Sequence, residues 1–250
     1  MFVIMGLPLV HVVCCRRMQK YRHLFFDMDK TIAPARQPIL PEMFDLLTSL
    51  SQDIIVVSGQ TVENIRWQSN DLDAIILGQN GSHAIERDGT ELWNEPLDDA
   101  HRAEIMAHIE RLIARLPERP REEWTPIEDR GSQITFSPIG NMAPVEEKAA
   151  YDPDRSTRES LLAQEPFVSD NVLVKIGGST SFDYIHKNRH KGTNVARLIE
   201  LKGWDKDECV YIGDGLYPGG NDELVIGVID TIPVKDHLDT YEKLRAHFVS

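Results

Sequence analysis

Leu24-Phe25-Phe26-Asp27-Met28-Asp29-Lys30-Thr31 sets two carboxylates at i and i+2 directly after an apolar run. The short run predicts a buried strand, so Asp27 falls at the strand end. A carboxylate there is exposed enough to attack, and close enough to a second acid for the two to share a metal ion. Carboxylate nucleophiles that form an acyl phosphate need that layout, because a second acid must protonate the leaving group. An isolated D-x-D-x-T pattern is weak, since surface aspartate pairs are common. Its weight depends on what the rest of the chain supplies.

Outward from this segment, apolar runs bounded by turn residues recur. Leu24–Phe26, Ile54–Val57, Ala74–Leu77 and Val210–Ile212 are short, with β-branched or aromatic residues, as buried parallel strands are. Helical spacing separates them. Pro41–Leu50 carries Met43, Leu46, Leu47 and Leu50 on one stripe; Thr61 is placed to cap a helix through Trp67; Thr193 is placed to cap Val195–Leu201, with Gly203 as the stop. Strands alternating with helices predict an α/β layer around a parallel sheet, and such sheets gather their chemistry at the carboxyl ends of the strands.

The middle of the chain differs. His101–Leu116 is an amphipathic helix with Ile105, Ile109, Leu112, Ile113 and Leu116 on one face, ended by Pro117. The alternating segments Gln133–Ser137, Val172–Ile176 and Thr180–Ile185 predict an antiparallel sheet. Residues 87–186 are therefore expected to form an α+β insertion, with 18–86 and 187–250 making the core.

Three further segments complete the chemistry opened by Asp27. Val56-Val57-Ser58-Gly59-Gln60-Thr61 runs from a strand into a helix, where a hydroxyl and free backbone amides can hold a phosphoryl oxygen. An ordinary Ser-Gly turn is the plainer alternative. Lys191-Gly192-Thr193-Asn194 opens a helix with a cation able to neutralise both a phosphoryl group and its nucleophile; a solvated lysine is the alternative. Tyr211-Ile212-Gly213-Asp214-Gly215, followed by Gly219-Gly220-Asn221-Asp222, sets an acid at a strand end before a glycine-rich loop and a second acid. That suits Mg²⁺, which takes few protein carboxylates and keeps several waters. The plainer readings are a flexible turn and a helix-capping aspartate, but the combined spacing is the most specific of the three.

Composition bounds the rest. The 250 residues, 41% hydrophobic and 27% charged, suffice for a large core in one or two domains. A formal net charge of -13 argues against nucleic acid or an anionic membrane as partner. Cys14, Cys15 and Cys209 form no disulfide framework, which favours a reducing, cytoplasmic setting. Residues 1–17 read as an N-terminal extension: the apolar stretch Phe2–Cys15 precedes Arg16, Arg17, Lys20 and Arg22, the reverse of a signal peptide. A strand leading into Asp27 is expected to begin near Met18.

Taken in order, Asp27-x-Asp29-x-Thr31, Ser58, Lys191 and Gly213-Asp214 with Asn221-Asp222 resemble the haloacid dehalogenase (HAD) superfamily. The insertion between Ser58 and Lys191 is similar to the type IIB (Cof-like) branch, and the resemblance covers nearly all of residues 22–250. Within that branch, Thr31–Arg36, Ser137–Gly140, the Gly177-Gly178 segment through Ser181-Phe182-Asp183, and Pro218–Asp222 resemble eukaryotic-type phosphomannomutases. The resemblance implies an α/β, Rossmann-like HAD core with a parallel sheet and an α+β (type C2b) cap. It implies Asp27 as nucleophile, Asp29 as general acid then base, and Ser58 and Lys191 as holders of the phosphoryl group. Mg²⁺ would be bound by the Asp27 carboxylate, the Asp29 carbonyl and Asp214, with Asn221 and Asp222 in support. Arg36, Arg130, Ser181 and Asp183 would contact the substrate, and a homodimer through the cap is an arrangement the likeness allows.

Two departures bear on activity. Lys30 stands where the family usually has glycine. Asn141 and Lys148 stand where phosphomannomutases carry cap arginines that would grip a distal phosphate. Asparagine supplies no charge, and lysine only a point charge in place of a bidentate fork. The expectation is therefore a Mg²⁺-dependent phosphatase acting on a phosphorylated sugar or similar small metabolite through an aspartyl-phosphate intermediate. A true phosphomannomutase is the alternative, and a noncatalytic phosphometabolite-binding regulator the second. Intact Asp27, Asp29, Lys191 and Asp214 weigh against the last.

Overall fold

The structure is a computed structural model that describes residues 20–248. The expectations for residues 1–17 and for a strand start at Met18 lie outside the described residues. In chain order the elements are β1 (His23–Asp27), α1 (Pro41–Ser49), β2 (Asp53–Val57), α2 (Val62–Gln68), β3 (Ile75–Gly78), β4 (His83–Ile85), β5 (Glu91–Asn94) and α3 (Asp99–Arg115). They continue with β6 (Ile127–Asp129), β7 (Gln133–Phe136), α4 (Val145–Tyr151), α5 (Ser156–Gln164), β8 (Val172–Gly177) and β9 (Ser181–His186). The chain closes with α6 (Lys191–Lys202), β10 (Cys209–Gly213), β11 (Asp230–Pro233) and α7 (His237–Phe248). Contacts divide the chain into two compact units: one runs to Glu91 and resumes at Lys191, and the other is Leu92–His190.

The first unit is α/β. Within it the strands run in the order β11-β10-β1-β2-β3-β4. All five residues of β1 are buried, which is why its sequence is continuously apolar rather than alternating. β1 pairs in parallel with β2, Asp27 opposite Val57, and with β10, Phe26 opposite Ile212. This register brings Asp27, Ser58 and Asp214 to the carboxyl ends of three adjacent strands. β11 and β3 extend the parallel set, and β4 turns back antiparallel. Leu24, Phe26, Ile54, Val56, Val210 and Ile212 carry the sheet's share of the core, while Met43, Leu47, Ile65 and Leu244 fill it from the helices.

The helices follow local rules with one correction. Pro41, with its fixed φ, starts α1, which buries Met43, Leu46 and Leu47. Thr61 caps α2 by accepting from the Asn64 amide at 3.3 Å. α6, however, begins at Lys191, two residues ahead of the expected cap Thr193. Buried ion pairs of Lys191 hold this first turn, so tertiary contacts outweigh the local capping preference. Gly203, at φ 65°, ends α6 as expected: its amide and that of Trp204 reach back to Glu200 and Ile199.

The second unit is α+β. Its sheet has four antiparallel strands in the order β6-β7-β9-β8. One face sets Ile134, Phe136, Phe182, Tyr184 and Val172 against Ile105, Ile109 and Leu112 of α3. The other carries polar side chains beside Leu173 and Ile185, since side chains alternate along a strand. Glu128, Thr135, Asp183 and Lys175 lie opposite one another in a single row across all four strands. The unit starts and ends a few residues later than the expected 87–186. After β9 the chain stays tied to it, through Lys187 donating to the Asn171 carbonyl and Arg189 pairing with Glu95 at 3.2 Å.

Candidate active site

Lys191 is the hub of the first unit's strand ends. Its ammonium lies 2.5 Å from Asp27 Oδ1 and 2.7 Å from Asp222 Oδ1, with all three side chains buried. Asp222 accepts in addition from the Tyr211 hydroxyl at 2.8 Å and, through Oδ2, from the Gly215 amide at 3.1 Å. The Thr31 hydroxyl accepts from the Asp214 amide at 3.1 Å, joining the loop after β1 to the loop after β10. Oxygens of Asp27, Asp214 and Asp222 all fall within 4.8 Å of one another.

Two of these three carboxylates pair with the Lys191 ammonium, and Lys30 acts on the third, Asp214. Burial pushes the Asp27 carboxyl up to about 8, with Lys191 opposing and Asp222 adding to the rise. Burial and the Asp222 charge also raise Asp214. Burial alone would lower Lys191, but Asp222 and Asp27 outweigh it and hold the ammonium charged. The cluster is short of positive charge, and its donors are all oxygen. Both properties fit a hard divalent cation such as Mg²⁺. The amides of residues 31–33 go to the Met28 carbonyl and that of Lys30 to Ala33, none of them to the Asp29 carbonyl, so that oxygen is not consumed by the turn.

The glycines after β10 are required by close approach. A Cβ on Gly215 would come within 1.8 Å of Asn221 Oδ1, and one on Gly220 within 2.0 Å of the Gly215 carbonyl. Asn221 is exposed and its side chain covers Gly215.

Asp29 turns to a different set of partners. Gln68 donates to its Oδ1 at 2.8 Å, Gln60 to its Oδ2 at 2.9 Å, and the Arg36 amide to Oδ1 at 2.6 Å. The Arg36 side chain is exposed. Ser58 is buried at the end of β2, where its hydroxyl accepts from the Gln60 amide at 3.2 Å. Lys30 has φ 62°, a left-handed conformation that explains why glycine is usual at this position. Tyr211, Gln60 and Gln68 were not among the expected site residues. Tyr211 was legible only as a strand aromatic, and glutamines eight residues apart carry no motif.

The remaining expected residues belong to the second unit. Asp183 accepts from the Thr135 hydroxyl at 2.9 Å in the middle of the polar row, and Ser181 lies opposite Gly177 at the start of β9. Arg130 donates to Glu128 at 2.8 Å. Asn141 is buried, and its amide is spent on the carbonyls of Thr125, Pro126 and Thr135, at 3.1 Å, 3.2 Å and 3.5 Å. The Lys148 ammonium caps the Asn141 carbonyl. Both side chains thus donate to backbone carbonyls around the loop after β7, as buried carbonyls demand donors.

A solved haloacid dehalogenase-like hydrolase from B. subtilis superposes with a TM-score of 0.63 at 13% identity, covering 90% of this chain and 99% of that one. The fold is that of the HAD superfamily. The sequence matches the eukaryotic phosphomannomutase family over residues 54–249. A phosphomannomutase of Triticum aestivum is 28% identical over 90% of this chain and 94% of its own length, and that of Spinacia oleracea is 30% identical over 79% and 83%. The chain belongs to the eukaryotic phosphomannomutase family.

Proposed function

We propose that the protein is a Mg²⁺-dependent phosphatase of a phosphorylated sugar or similar small metabolite, acting through an aspartyl phosphate on Asp27. Asp27 attacks phosphorus, the ester P–O bond breaks, and Asp29 gives its proton to the departing oxygen. Water then attacks the acyl phosphate, Asp29 takes the proton, and inorganic phosphate leaves with Asp27 restored. Lys191 and the Ser58 hydroxyl hold the transferred oxygens. Mg²⁺, held by Asp27, the Asp29 carbonyl and Asp214 with Asp222 and Asn221 behind them, would offset the repulsion between carboxylate and phosphate. Arg36, and Arg130, Ser181 and Asp183 on the second unit's polar face, are assigned to substrate recognition.

The inward-turned Asn141 amide carries the choice of phosphatase over mutase. A mutase must retain a bisphosphate while the sugar turns over, and bidentate arginines suit that grip. At the two positions concerned this chain has an uncharged amide bonded to its own backbone and a lysine that supplies a point charge and donates to the Asn141 carbonyl. Losing charge-assisted contacts of that kind costs on the order of 1.5–3 kcal/mol each. Family membership, Arg36 and Arg130 favour the mutase as the second reading. The two separate in one assay with mannose 1-phosphate, with and without a trace of hexose 1,6-bisphosphate. Release of inorganic phosphate independent of the bisphosphate is expected. Bisphosphate-dependent conversion to the 6-phosphate with negligible phosphate release would establish the mutase.

A further inference from the structure

We infer that Gln68, with Gln60, is a positioning residue for Asp29: the two amides lock the carboxyl group at the angle from which, when protonated, it gives its proton to the leaving group. The inference rests on the proposed role of Asp29 as general acid. Its basis is a closed set of hydrogen bonds at the two ends of α2. Gln60 precedes the helix and Gln68 ends it, yet both reach the same carboxylate, one to each oxygen. Gln60 also donates to Gln68 Oε1 at 2.6 Å. That contact fixes the orientation of Gln68: its oxygen faces Gln60, so its nitrogen must face Asp29. The reversed amide would set oxygen against carboxylate oxygen.

Gln68 has no exposed surface, so its amide has protein groups alone for partners, and Asp29 is the nearer of its two acceptors. Burying an unpaired amide is costly, so its presence here needs a polar counterpart. The Arg36 amide at 2.6 Å adds a third donor, from the backbone. With both oxygens engaged, rotation of the carboxylate about its own axis is stopped. A proton donor works only within a narrow range of distance and angle to the departing oxygen. Gln68 touches no reacting atom in this scheme and acts through Asp29.

The test uses the full chain at saturating Mg²⁺ with p-nitrophenyl, phenyl and benzyl phosphate, whose leaving groups become steadily more basic. kcat/KM reports steps through the first P–O cleavage. A weakly basic nitrophenolate leaves without a proton, whereas benzyl alkoxide needs one. Gln68→Met should lower kcat/KM for benzyl phosphate by about 10–10²-fold, part of the usual worth of a general acid, and leave p-nitrophenyl phosphate within about threefold. Gln60→Ser, at a half-exposed position, should shift the ratio the same way by less, and decides the matter if Gln68→Met does not fold. Asp29→Asn is the reference and should shift the ratio most. If Asp29→Asn shifts it and neither glutamine variant does, the positioning role is overturned. If Asp29→Asn itself leaves the ratio unchanged, the general-acid assignment fails and the inference falls with it. A purely structural role for Gln68 would lower all three substrates equally.

Discussion

Lys191 Nζ stands 2.7 Å from Asp222 Oδ1, with the two side chains 3% and 0% exposed. Asp27 shares the same ammonium from its other side. The nucleophile and the glycine-rich loop are thus joined through one buried cation, and removing it strands two acids away from water. Lys191→Met should destabilise the metal-free protein by about 3–5 kcal/mol, the cost of breaking a buried pair. Turnover should fall at least 10²-fold, since a donor to the phosphoryl oxygens is lost. Asp27→Asn should also abolish turnover, yet leave the Tm unchanged or raised, because it relieves an excess of negative charge. Thermal denaturation beside phosphate release checks both, and a stable, active Lys191→Met would refute the arrangement.

The same charge imbalance makes a metal prediction. Mg²⁺ that binds the folded state alone stabilises it by about 2.7 kcal/mol at a concentration 100 times its Kd. The Tm should therefore climb with added Mg²⁺ and fall on chelation. Asp214→Asn should shrink that rise and increase the Mg²⁺ needed for half-maximal activity by about tenfold or more. Asp214 stands at the end of β10 with its amide already tied to Thr31, so the substitution leaves the loop anchored. Full activity after exhaustive chelation would rule out the cation.

How far the sequence reveals this site depends on the range of each interaction. Asp27, Ser58 and Asp214 are legible because each follows a short apolar run, and a parallel sheet aligns such ends. Lys191 is legible as a cation at a helix start, although the helix begins two residues before its apparent cap. β11 escapes notice: Asp230-Thr231-Ile232-Pro233 is half-exposed at the sheet edge, and its proline is acceptable only there. The amide pair on Asp29 escapes too, since only the turn of the chain before α2 brings Gln60 and Gln68 together. The backbone acceptors of the buried Asn141 amide escape notice as well, since residues 6 to 16 positions away supply them.

Lys30 offers a test of backbone strain. A side chain in the left-handed region costs roughly 1–2 kcal/mol that glycine avoids, partly repaid by glycine's greater freedom when unfolded. Lys30→Gly should therefore raise stability by about 0.5–1 kcal/mol, or leave it unchanged. Denaturant unfolding measures the difference. A loss greater than about 1 kcal/mol would mean that the Lys30 side chain contributes a contact worth more than the strain.

In the second unit, Arg158 is buried and donates to Asp152 at 2.5 Å and to the Gly177 carbonyl at 2.8 Å, so it ties α5 to the end of β8. Burial would raise Asp152, but Arg158 and the amides of Thr157 and Arg158 bring it below the usual carboxylate range. Arg158→Met should cost about 3–5 kcal/mol, because it leaves a buried carboxylate and carbonyl without their donor. Adding Asp152→Asn should cost less than its effect alone, giving a coupling within about 0.5–3 kcal/mol in a double-mutant cycle. Strict additivity would show that the pair contributes nothing jointly.

His108 supplies a pH prediction for the same unit. It has no exposed surface; Nδ1 lies 2.7 Å from the Tyr184 hydroxyl and Nε2 2.7 Å from the Glu165 carbonyl. A carbonyl only accepts, so Nε2 carries the proton and Nδ1 accepts from Tyr184. A second proton would displace the Tyr184 donor. Burial lowers the His108 pKa, Arg111 adds to the fall, and the Glu165 carbonyl and carboxylate oppose it. The unfolded value is near 6.5. Above that pH both states are neutral and His108 adds no pH dependence. Below it the unfolded chain binds a proton that the folded chain refuses, so stability is lost as pH falls. His108→Gln keeps one donor and one acceptor but cannot titrate. Between pH 6.5 and 5 the wild type should lose stability faster than this variant, by no more than about 1.4 kcal/mol per pH unit. The difference between the two profiles isolates the contribution of His108. Parallel pH profiles from denaturant unfolding would show that His108 accepts its proton without penalty, and that the Tyr184 hydroxyl reorients to receive it.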